Sequence, residues 1–332
     1  MPSDLRVDVG DARIYNKRAY TLYKCVVRVV RLQRQGCGNM TQELALKPIR
    51  RAVDIFINCP LCGSTDYQLV LVHQECGNVV RCSQCYLKYV RSRWISELLQ
   101  SPKPVPDAIM QKEEDQTDDF QDIIKTIKRY QPNGKLLELG CLTGHFLALA
   151  RGAGYEPTGI EPNPVAAGYA RRQFDLSVHE TVIPQLYLED RSFDVIAMFH
   201  VMEHLTEPMK TLVNLRRILT ETGLLAIEIP IMDTLIPLIM GRRHRHYCFD
   251  HTLFMSRARA LEFLQKAGFK VLRTELTGRR IRLKRLASRL GESYDSLGQF
   301  LERAFKTLHI EERIVHVNAR DNYRIYCRKA FH

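Results

Sequence analysis

The sequence has few of the features that mark non-globular or membrane-spanning chains. Its 332 residues include only 18 Gly and 14 Pro, too few for collagen or for a low-complexity linker protein. The longest apolar stretch, residues 224–240, is interrupted by Glu228 and Asp233. A transmembrane helix of the usual length, about 20 residues, is therefore excluded. No heptad pattern persists, which disfavours a coiled coil.

The N-terminus lacks the apolar segment of a signal peptide and carries Asp4, Asp8 and Asp11 instead. We therefore expect a cytoplasmic, reducing compartment, in which paired cysteines bind metal rather than form disulfides. Met40 is an alternative start, which would make the upstream residues a misassigned leader. The net charge of +12 suits nucleic acid, anionic lipid or phosphate-bearing substrates without choosing among them.

The ten cysteines are unevenly placed, and four of them form two C-x-x-C pairs separated by residues 63–81. These four are Cys59, Cys62, Cys82 and Cys85. This spacing is typical of a zinc site in which two knuckles present four thiolates tetrahedrally. With all four positions filled by protein, the predicted Zn²⁺ is structural rather than catalytic. Cys76 is an alternative ligand but fits better as a strand residue.

Composition and patterning divide the chain into four segments. These are a basic N-terminal segment (1–52), a zinc-ribbon-like module (53–94), a Pro-rich and then acidic linker (95–119), and a domain (120–332) with a helical insertion at about 279–315. From residue 120, apolar strands alternate with helices. The pattern predicts strands at 135–139, 156–160, 194–199, 223–229, 269–275 and 322–328, and helices at 145–151, 165–174, 208–219 and 256–267. This alternation favours an α/β doubly wound fold.

A glycine-containing turn joins the first of these strands to its helix. It runs from Gly140 to Gly144, and glycine there lets the backbone approach a ligand at the carboxyl end of the strand. Glu161 ends the next strand, about 20 residues on, where an acid commonly binds ribose hydroxyls. Leu142 and His145 break the G-x-G-x-x-G dinucleotide fingerprint, and no P-loop sequence follows the strand.

The segments 138–144, 159–162, 192–196 and 200–205 resemble class I S-adenosylmethionine-dependent methyltransferases, most closely the group of ubiquinone-biosynthesis O-methyltransferases. Residues 219–230 and 267–269 also match, so the resemblance covers about 120–330. It implies a seven-stranded, Rossmann-like sheet with an antiparallel last strand and S-adenosylmethionine as cofactor. The implied cofactor-binding residues are Glu138, Gly140, Cys141, Thr143, Gly144, Glu161, Pro162 and Asn163. Leu142 departs from the glycine usual at its position.

Candidate catalytic residues follow the strand at 194–199. His200, Glu203 and His204 would share one face of a helical turn. A hydroxyl acceptor usually needs a base or a metal, and we expect His200 or His204 to be the base. The related O-methyltransferases use acids and a histidine here with a divalent metal. Since only Glu203 and His204 match, a catalytic metal is left open. By the same resemblance, His251 would face the acceptor.

Residues 59–91 resemble a small zinc module that precedes methyltransferase domains in bacterial surface-polysaccharide and natural-product clusters, with Tyr86 replacing a customary Gly. The resemblance implies O-methylation of a small-molecule or saccharide acceptor, phosphate-bearing or lipid-linked. Sugar C-methylation, RNA methylation and a catalytically inactive binding role are the alternatives. Nucleic acid is not favoured, because no aromatic platform for stacking bases accompanies the motifs. The arginine-rich stretch 279–289 is either a lid or lipid-binding surface, or a solvated basic face.

Overall fold

The computed structural model describes residues 55–73, 77–93, 110, 113–181, 188–248, 250–293 and 295–330. All of them belong to one compact unit, Ala52–His332. The basic segment 1–52 therefore lies outside the described residues, as do Cys76 and most of the predicted linker. Among the described residues, no helix combines the length and apolar character needed to cross a membrane.

The unit contains thirteen strands and eight α-helices within the described residues. The strands are β1 (Ile55–Phe56), β2 (Tyr67–His73), β3 (Gly77–Cys82), β4 (Lys88–Val90), β5 (Ser92–Arg93), β6 (Gly134–Leu139), β7 (Tyr155–Ile160), β8 (Ser177–His179), β9 (Phe193–Phe199), β10 (Leu219–Pro230), β11 (Leu253–Phe254), β12 (Phe269–Arg282) and β13 (Ile314–Lys329). The helices are α1 (Thr117–Tyr130), α2 (His145–Gly152), α3 (Pro164–Phe174), α4 (Pro208–Ile218), α5 (Leu235–Met240), α6 (Arg257–Lys266), α7 (Leu283–Ser293) and α8 (Asp295–Thr307).

Seven strands form the central sheet, in the order β12-β13-β10-β9-β6-β7-β8. The five strands from β10 to β8 are parallel, whereas β13 runs antiparallel to both β10 and β12. This confirms the predicted α/β class and the mixed seven-stranded sheet. Strands β6, β9 and β10 are apolar along most of their length because helices cover both faces of the sheet.

Two core clusters lie on opposite faces of this sheet. On one face, α1 and α2 pack through residues such as Ile127 and Phe146. On the other, α4 and α6 pack through residues such as Leu212 and Phe263. The helix boundaries follow local signals. Ser256 caps α6, since its hydroxyl accepts a hydrogen bond from the amide of Arg259.

The cysteine-bearing hairpins form a second sheet, ordered β11-β4-β3-β2. Strand β11 comes from the second half of the chain and pairs antiparallel with β4, placing Leu253 opposite Tyr89. Leu87 and Tyr89 are fully buried in the same core cluster as Phe263. The hairpin region and the large sheet therefore share one continuous core.

Two parts of the structure differ from the sequence-based expectation. Only part of the predicted helical insertion is helical, namely α7 and α8. Residues 279–282 and 314–317 instead continue β12 and β13 as a paired ribbon. Ile281 is buried, whereas the arginines on either side of it are partly exposed. Burial therefore alternates with a period of two residues, as in a strand. Residues 113–119, assigned to the linker, instead pack against the domain. Asp115 is buried and ion-paired, and α1 already begins at Thr117.

Candidate functional site

The turn between β6 and α2 depends on glycine at two positions. Gly140 and Gly144 have φ angles of +69° and +83°, in the left-handed region that other residues adopt at a cost. A Cβ atom on Gly140 would lie 2.6 Å from Val201 Cγ2, and one on Gly144 would lie 2.7 Å from Leu176 Cδ1. The turn therefore has neither the conformation nor the space for larger residues at these two positions.

Leu142, at the tip of this turn, also adopts a left-handed conformation, with φ of +47°. Its backbone amide donates a hydrogen bond to Glu161 Oε2, at 2.9 Å. Glu161 Oε1 accepts another from the amide of Asn163, at 2.8 Å. The Glu161 carboxylate thus ties the glycine turn to the end of β7, and it compensates for the strain that leucine introduces at the tip.

A cavity of about 410 Å³ opens at the carboxyl ends of the parallel strands. This size is typical of small-molecule sites. Of the predicted cofactor residues, Glu138, Gly140, Glu161 and Pro162 line it. Leu142 lines it as well, so the departure from glycine lies directly at the cavity wall.

The other predicted cofactor residues have different side-chain environments. Cys141 is buried in the core beside Gly159, and Thr143 donates a hydrogen bond to Glu113. The Asn163 side chain accepts from the amide of Val165 and caps α3, while Gly144 begins α2. Their role as cofactor contacts stays a prediction.

Glu138 is a buried carboxyl group at the floor of the cavity. Its pKa is raised well above the usual value by burial, and further by the nearby acids Glu113 and Glu161. Oε2 has no hydrogen-bond partner among the described residues. A cationic ligand group at this point would satisfy Glu138 and lower its pKa. Sequence reasoning missed Glu113, because it lies in the acidic run assigned to the linker.

His200 also lines the cavity, in a left-handed conformation after β9 (φ +55°). Its Nε2 atom is 2.9 Å from Glu228 Oε1 and 2.6 Å from Nη2 of Arg279. Its Nδ1 atom is 3.4 Å from Glu203 Oε1. The imidazole is therefore fixed from three directions beside the cavity.

Glu228 and Arg279, which hold His200, were not identified from the sequence. Glu228 is buried near the end of β10, and Arg324 binds its Oε2 atom through Nε at 2.8 Å. Arg279 belongs to the stretch that was expected to form a lid or a solvated face, but its guanidinium is buried. This burial lowers the pKa of Arg279 to about 10. The only sequence signal was the single acid, Glu228, inside an otherwise apolar strand.

Glu203, His204 and His251 come together behind His200. Each offers a ligand atom within 4.8 Å of the others. His204 donates Nδ1–H to the carbonyl oxygen of Asp250, at 2.8 Å, which leaves Nε2 as its acceptor. Burial alone would raise the pKa of Glu203, but His200 and His204 lower it to about 2. A buried carboxylate and two imidazoles of this kind are suitable donors for a divalent transition metal.

The remaining histidines of the loop after α5 form a separate group. Ring nitrogens of His244 and His246 lie 3.8 and 3.6 Å from Asp321 Oδ2, which also binds Arg245 at 2.7 Å. Burial lowers the pKa of His244 to about 4 and of His246 to about 3, so both are neutral near pH 7. His246 stacks on His251 and so connects the two groups.

Basic residues of the arginine-rich stretch are largely paired with acids. The pairs are Arg280 with Asp119, Arg282 with Asp115 and Glu312, Lys284 with Glu312, and Arg285 with Asp115. These side chains are neutralised within the chain instead of forming a freely solvated face. They also explain why the acidic run before α1 packs against the domain.

The four knuckle cysteines are adjacent, all four Sγ atoms lying within 4.8 Å of one another. Cys59 and Cys85 are 3.4 Å apart and Cys62 and Cys82 are 3.5 Å apart, sulfur to sulfur. Gly63 and Tyr86 follow the second cysteine of each pair with positive φ angles of 77° and 60°. Both turns thus have the same knuckle shape, although Tyr86 lacks the freedom of glycine.

Comparison with known proteins agrees with this architecture. Residues 112–274 match the sequence profile of a family described as "Methyltransferase domain". A curated protein of Mycolicibacterium smegmatis, named "Probable S-adenosylmethionine-dependent methyltransferase", is 27% identical over 137 residues, which are 41% of this chain. The match spans 52% of that relative, about half of its length.

Solved structures share the fold at low sequence identity. A chain from the complex between the Haloferax volcanii Trm112 methyltransferase activator and a methyltransferase has a TM-score of 0.50 and 18% identity, covering 68% of this chain and 96% of that one. An S-adenosylmethionine-dependent methyltransferase from Mesorhizobium loti has a TM-score of 0.44 and 12% identity, covering 63% and 96%. The profile match covers just under half of the chain, so residues 112–274 are similar to a methyltransferase domain, and the sheet order agrees with the α/β methyltransferase fold.

Proposed function

We propose that this chain is an S-adenosylmethionine-dependent methyltransferase that methylates an oxygen of a small-molecule or saccharide acceptor, such as a surface glycan or natural product. The observation that carries the proposal is a single cavity lined by residues of both predicted sets. Glu138, Gly140 and Glu161 come from the predicted cofactor site, and His200 and His204 come from the predicted catalytic residues. The resemblance to ubiquinone-biosynthesis O-methyltransferases supports oxygen as the acceptor atom.

The bound cofactor would supply an electrophilic methyl group on a sulfonium. Glu138, Gly140 and Glu161 would hold this cofactor, and the acceptor oxygen would receive the methyl group as the carbon–sulfur bond broke to leave a thioether. We assign uptake of the hydroxyl proton to His200, because its imidazole lines the cavity and contacts with Glu228 and Arg279 hold it there. The fixed ring orients the acceptor for in-line displacement.

A divalent cation held by Glu203, His204 and His251 is a further part of this proposal. Two of the three groups carry buried atoms with no hydrogen-bond partner in the part of the chain that the structure describes, namely the Glu203 carboxylate and His251 Nδ1. We expect titration with Mn²⁺, followed by electron paramagnetic resonance, to detect one bound ion. Binding should weaken about tenfold or more in His251→Gln. Unchanged Mn²⁺ binding in that variant would place the ion elsewhere.

We further propose that the four knuckle cysteines hold a structural Zn²⁺ in a cytoplasmic protein. Their sulfur spacing suits tetrahedral coordination, and no disulfide occurs among the seven described cysteines. A structural ion here would hold the two knuckles next to β4. Strand β4 pairs with β11, which begins two residues after His251. The zinc-ribbon-like module would then shape the acceptor side of the cavity.

Calorimetric titration with S-adenosylhomocysteine tests the cofactor site. We expect micromolar binding by the wild type and about tenfold or greater weakening in Glu161→Ala, which removes both hydrogen bonds that hold the glycine turn. Glu161→Gln keeps one acceptor oxygen and should lose less. Wild-type protein that does not bind would contradict the proposal, and the catalytically inactive alternative would take its place.

The same titration should release a proton from Glu138. The cofactor's ammonium group, which the family resemblance directs toward Glu138, favours the ionised carboxylate, so the raised pKa of Glu138 falls on binding. Over a pH series, observed enthalpies in buffers of low and high ionisation enthalpy should therefore differ in the sense of proton release. Glu138→Gln should bind without this buffer dependence. If the variant shows the same dependence, the proton comes from another group.

A further inference from the structure

Helix α5 turns apolar side chains outward, the reverse of the arrangement usual in a soluble domain. Leu235, Leu238 and Ile239 share one face at i, i+3 and i+4, and their exposed fractions are 71%, 67% and 74%. Pro237, on the other side, is buried. Adjacent aliphatic side chains exposed to this extent mark an interaction surface rather than chance exposure.

Strand β2 adds to this apolar surface. Leu69 and Val72 are 59% and 63% exposed. The end of β2 lies beside the end of α5, because Nε2 of His73 is 3.2 Å from the carbonyl oxygen of Arg242. The two exposed apolar segments are therefore neighbours, although they are more than 160 residues apart in the chain.

The charge beside α5 is positive. Arg242 and Arg245, which follow α5, are both exposed, and Arg245 also binds Asp321. Among the described residues, the concentrated basic stretch around Arg280 and Arg282 is paired with acids of the chain itself. Exposed aliphatic side chains next to arginines fit the acyl and headgroup layers of an anionic bilayer. Protein interfaces more often centre on Tyr and Trp, which α5 lacks.

The position of α5 connects this surface with the cavity. The helix follows β10, and Glu228 near the carboxyl end of β10 lines the cavity. We propose that α5 and the exposed residues of β2 form a peripheral membrane-binding surface for anionic lipid, at the same edge of the sheet as the cavity. This proposal goes beyond the proposed methyl transfer and does not depend on it. A lipid-linked acceptor would reach the site from such a surface.

Vesicle flotation of the full chain tests the proposal without an acceptor. The wild type should bind vesicles of phosphatidylcholine and phosphatidylglycerol about tenfold or more tightly than phosphatidylcholine alone. Leu238→Asp should weaken binding to the anionic vesicles about tenfold. Val213→Asp is the matched control, since it adds the same charge at another exposed aliphatic position, 53% exposed on α4, and should bind as the wild type does. Ile239→Asp repeats the test at a second position.

Three results would overturn the proposal. The first is a wild type that binds neither kind of vesicle, and the second is equal weakening by Val213→Asp and Leu238→Asp. The third is self-association without vesicle binding: the molar mass from light scattering would double as the protein concentration rises, and Leu238→Asp would have the monomer mass at the same concentrations. That result would make α5 a contact between two copies of the chain. The S-adenosylhomocysteine titration remains a separate readout, so loss of lipid binding and failure of the cofactor site are distinguishable.

Discussion

Cys82→Ser should abolish zinc binding by the purified chain and lower its Tm by about 10 °C or more. Cys82 is fully buried, and its sulfur lies 3.5 Å from Cys62 Sγ. A hydroxyl is a poor substitute for a thiolate on zinc, so the remaining three sulfurs would hold the ion weakly. Metal content by mass spectrometry and thermal unfolding by circular dichroism measure the two effects.

The effect on stability should be large because the knuckles are not a separate appendage. Cys59, Cys82 and Cys85 belong to the core cluster that also contains Phe263 of α6. Strand β4 follows the second cysteine pair. It pairs with β11, which lies between α5 and α6 in the chain. Loss of the ion therefore loosens one face of the main core as well as the hairpins.

A matched substitution separates zinc loss from thiol loss. Cys248→Ser removes a half-buried thiol outside the four-sulfur cluster and should keep both the zinc and the Tm. Zinc retained by Cys82→Ser would place the ion at other ligands, and zinc absent from the wild type would show that the four cysteines are free thiols.

The parts of the molecule that could be predicted from the sequence are determined over short distances along the chain. The glycine turn and Glu161 each end a buried strand, and parallel strands bring their carboxyl ends to one edge. The two C-x-x-C pairs similarly specify two knuckles. For these features, residue type and spacing are sufficient, and the structure brings the predicted residues together.

The groups around His200 could not be predicted in the same way. Arg279 reaches it from 79 residues away and Glu228 from 28, across strands whose pairing no local pattern specifies. Arg279 lies in a run of arginines that sequence reasoning treats as solvated, because charged runs usually are. Asp115 was misassigned for the same reason: an acidic run resembles a linker until its basic partners are known.

Arg324→Met should lower the free energy of unfolding by about 3–5 kcal/mol, since it leaves the buried Glu228 carboxylate without its cation. Both side chains are almost fully buried, and Arg324 Nη2 lies 2.7 Å from Glu228 Oε2. Urea unfolding at neutral pH measures the loss. Arg273→Met is the matched control, because Arg273 is exposed and also pairs with an acid, Glu275, but should cost only about 0–1 kcal/mol.

A second substitution shows whether the unpaired charge is the cause. If it is, Glu228→Gln in the Arg324→Met background should recover a large part of the stability, because the buried carboxylate no longer has to ionise. If the stability losses caused by Arg324→Met and by Glu228→Gln simply add in the double variant, Arg324 acts through packing alone. The cycle thus distinguishes an electrostatic role from a steric one.

The pH dependence of the Arg324→Met defect has a defined sign. Burial would raise the pKa of Glu228, but Arg324 and then His200 hold it well below its usual range in the wild type. Without Arg324 the pKa of the folded carboxyl rises above that of the unfolded chain, so the variant is least stable, relative to wild type, at neutral pH. As the pH falls toward the ordinary carboxyl range, Glu228 becomes protonated in the folded variant and the difference should shrink. The same protonation removes the negative charge beside His200 Nε2 and weakens that contact, so the groups that stabilise the fold also hold the proposed base in place.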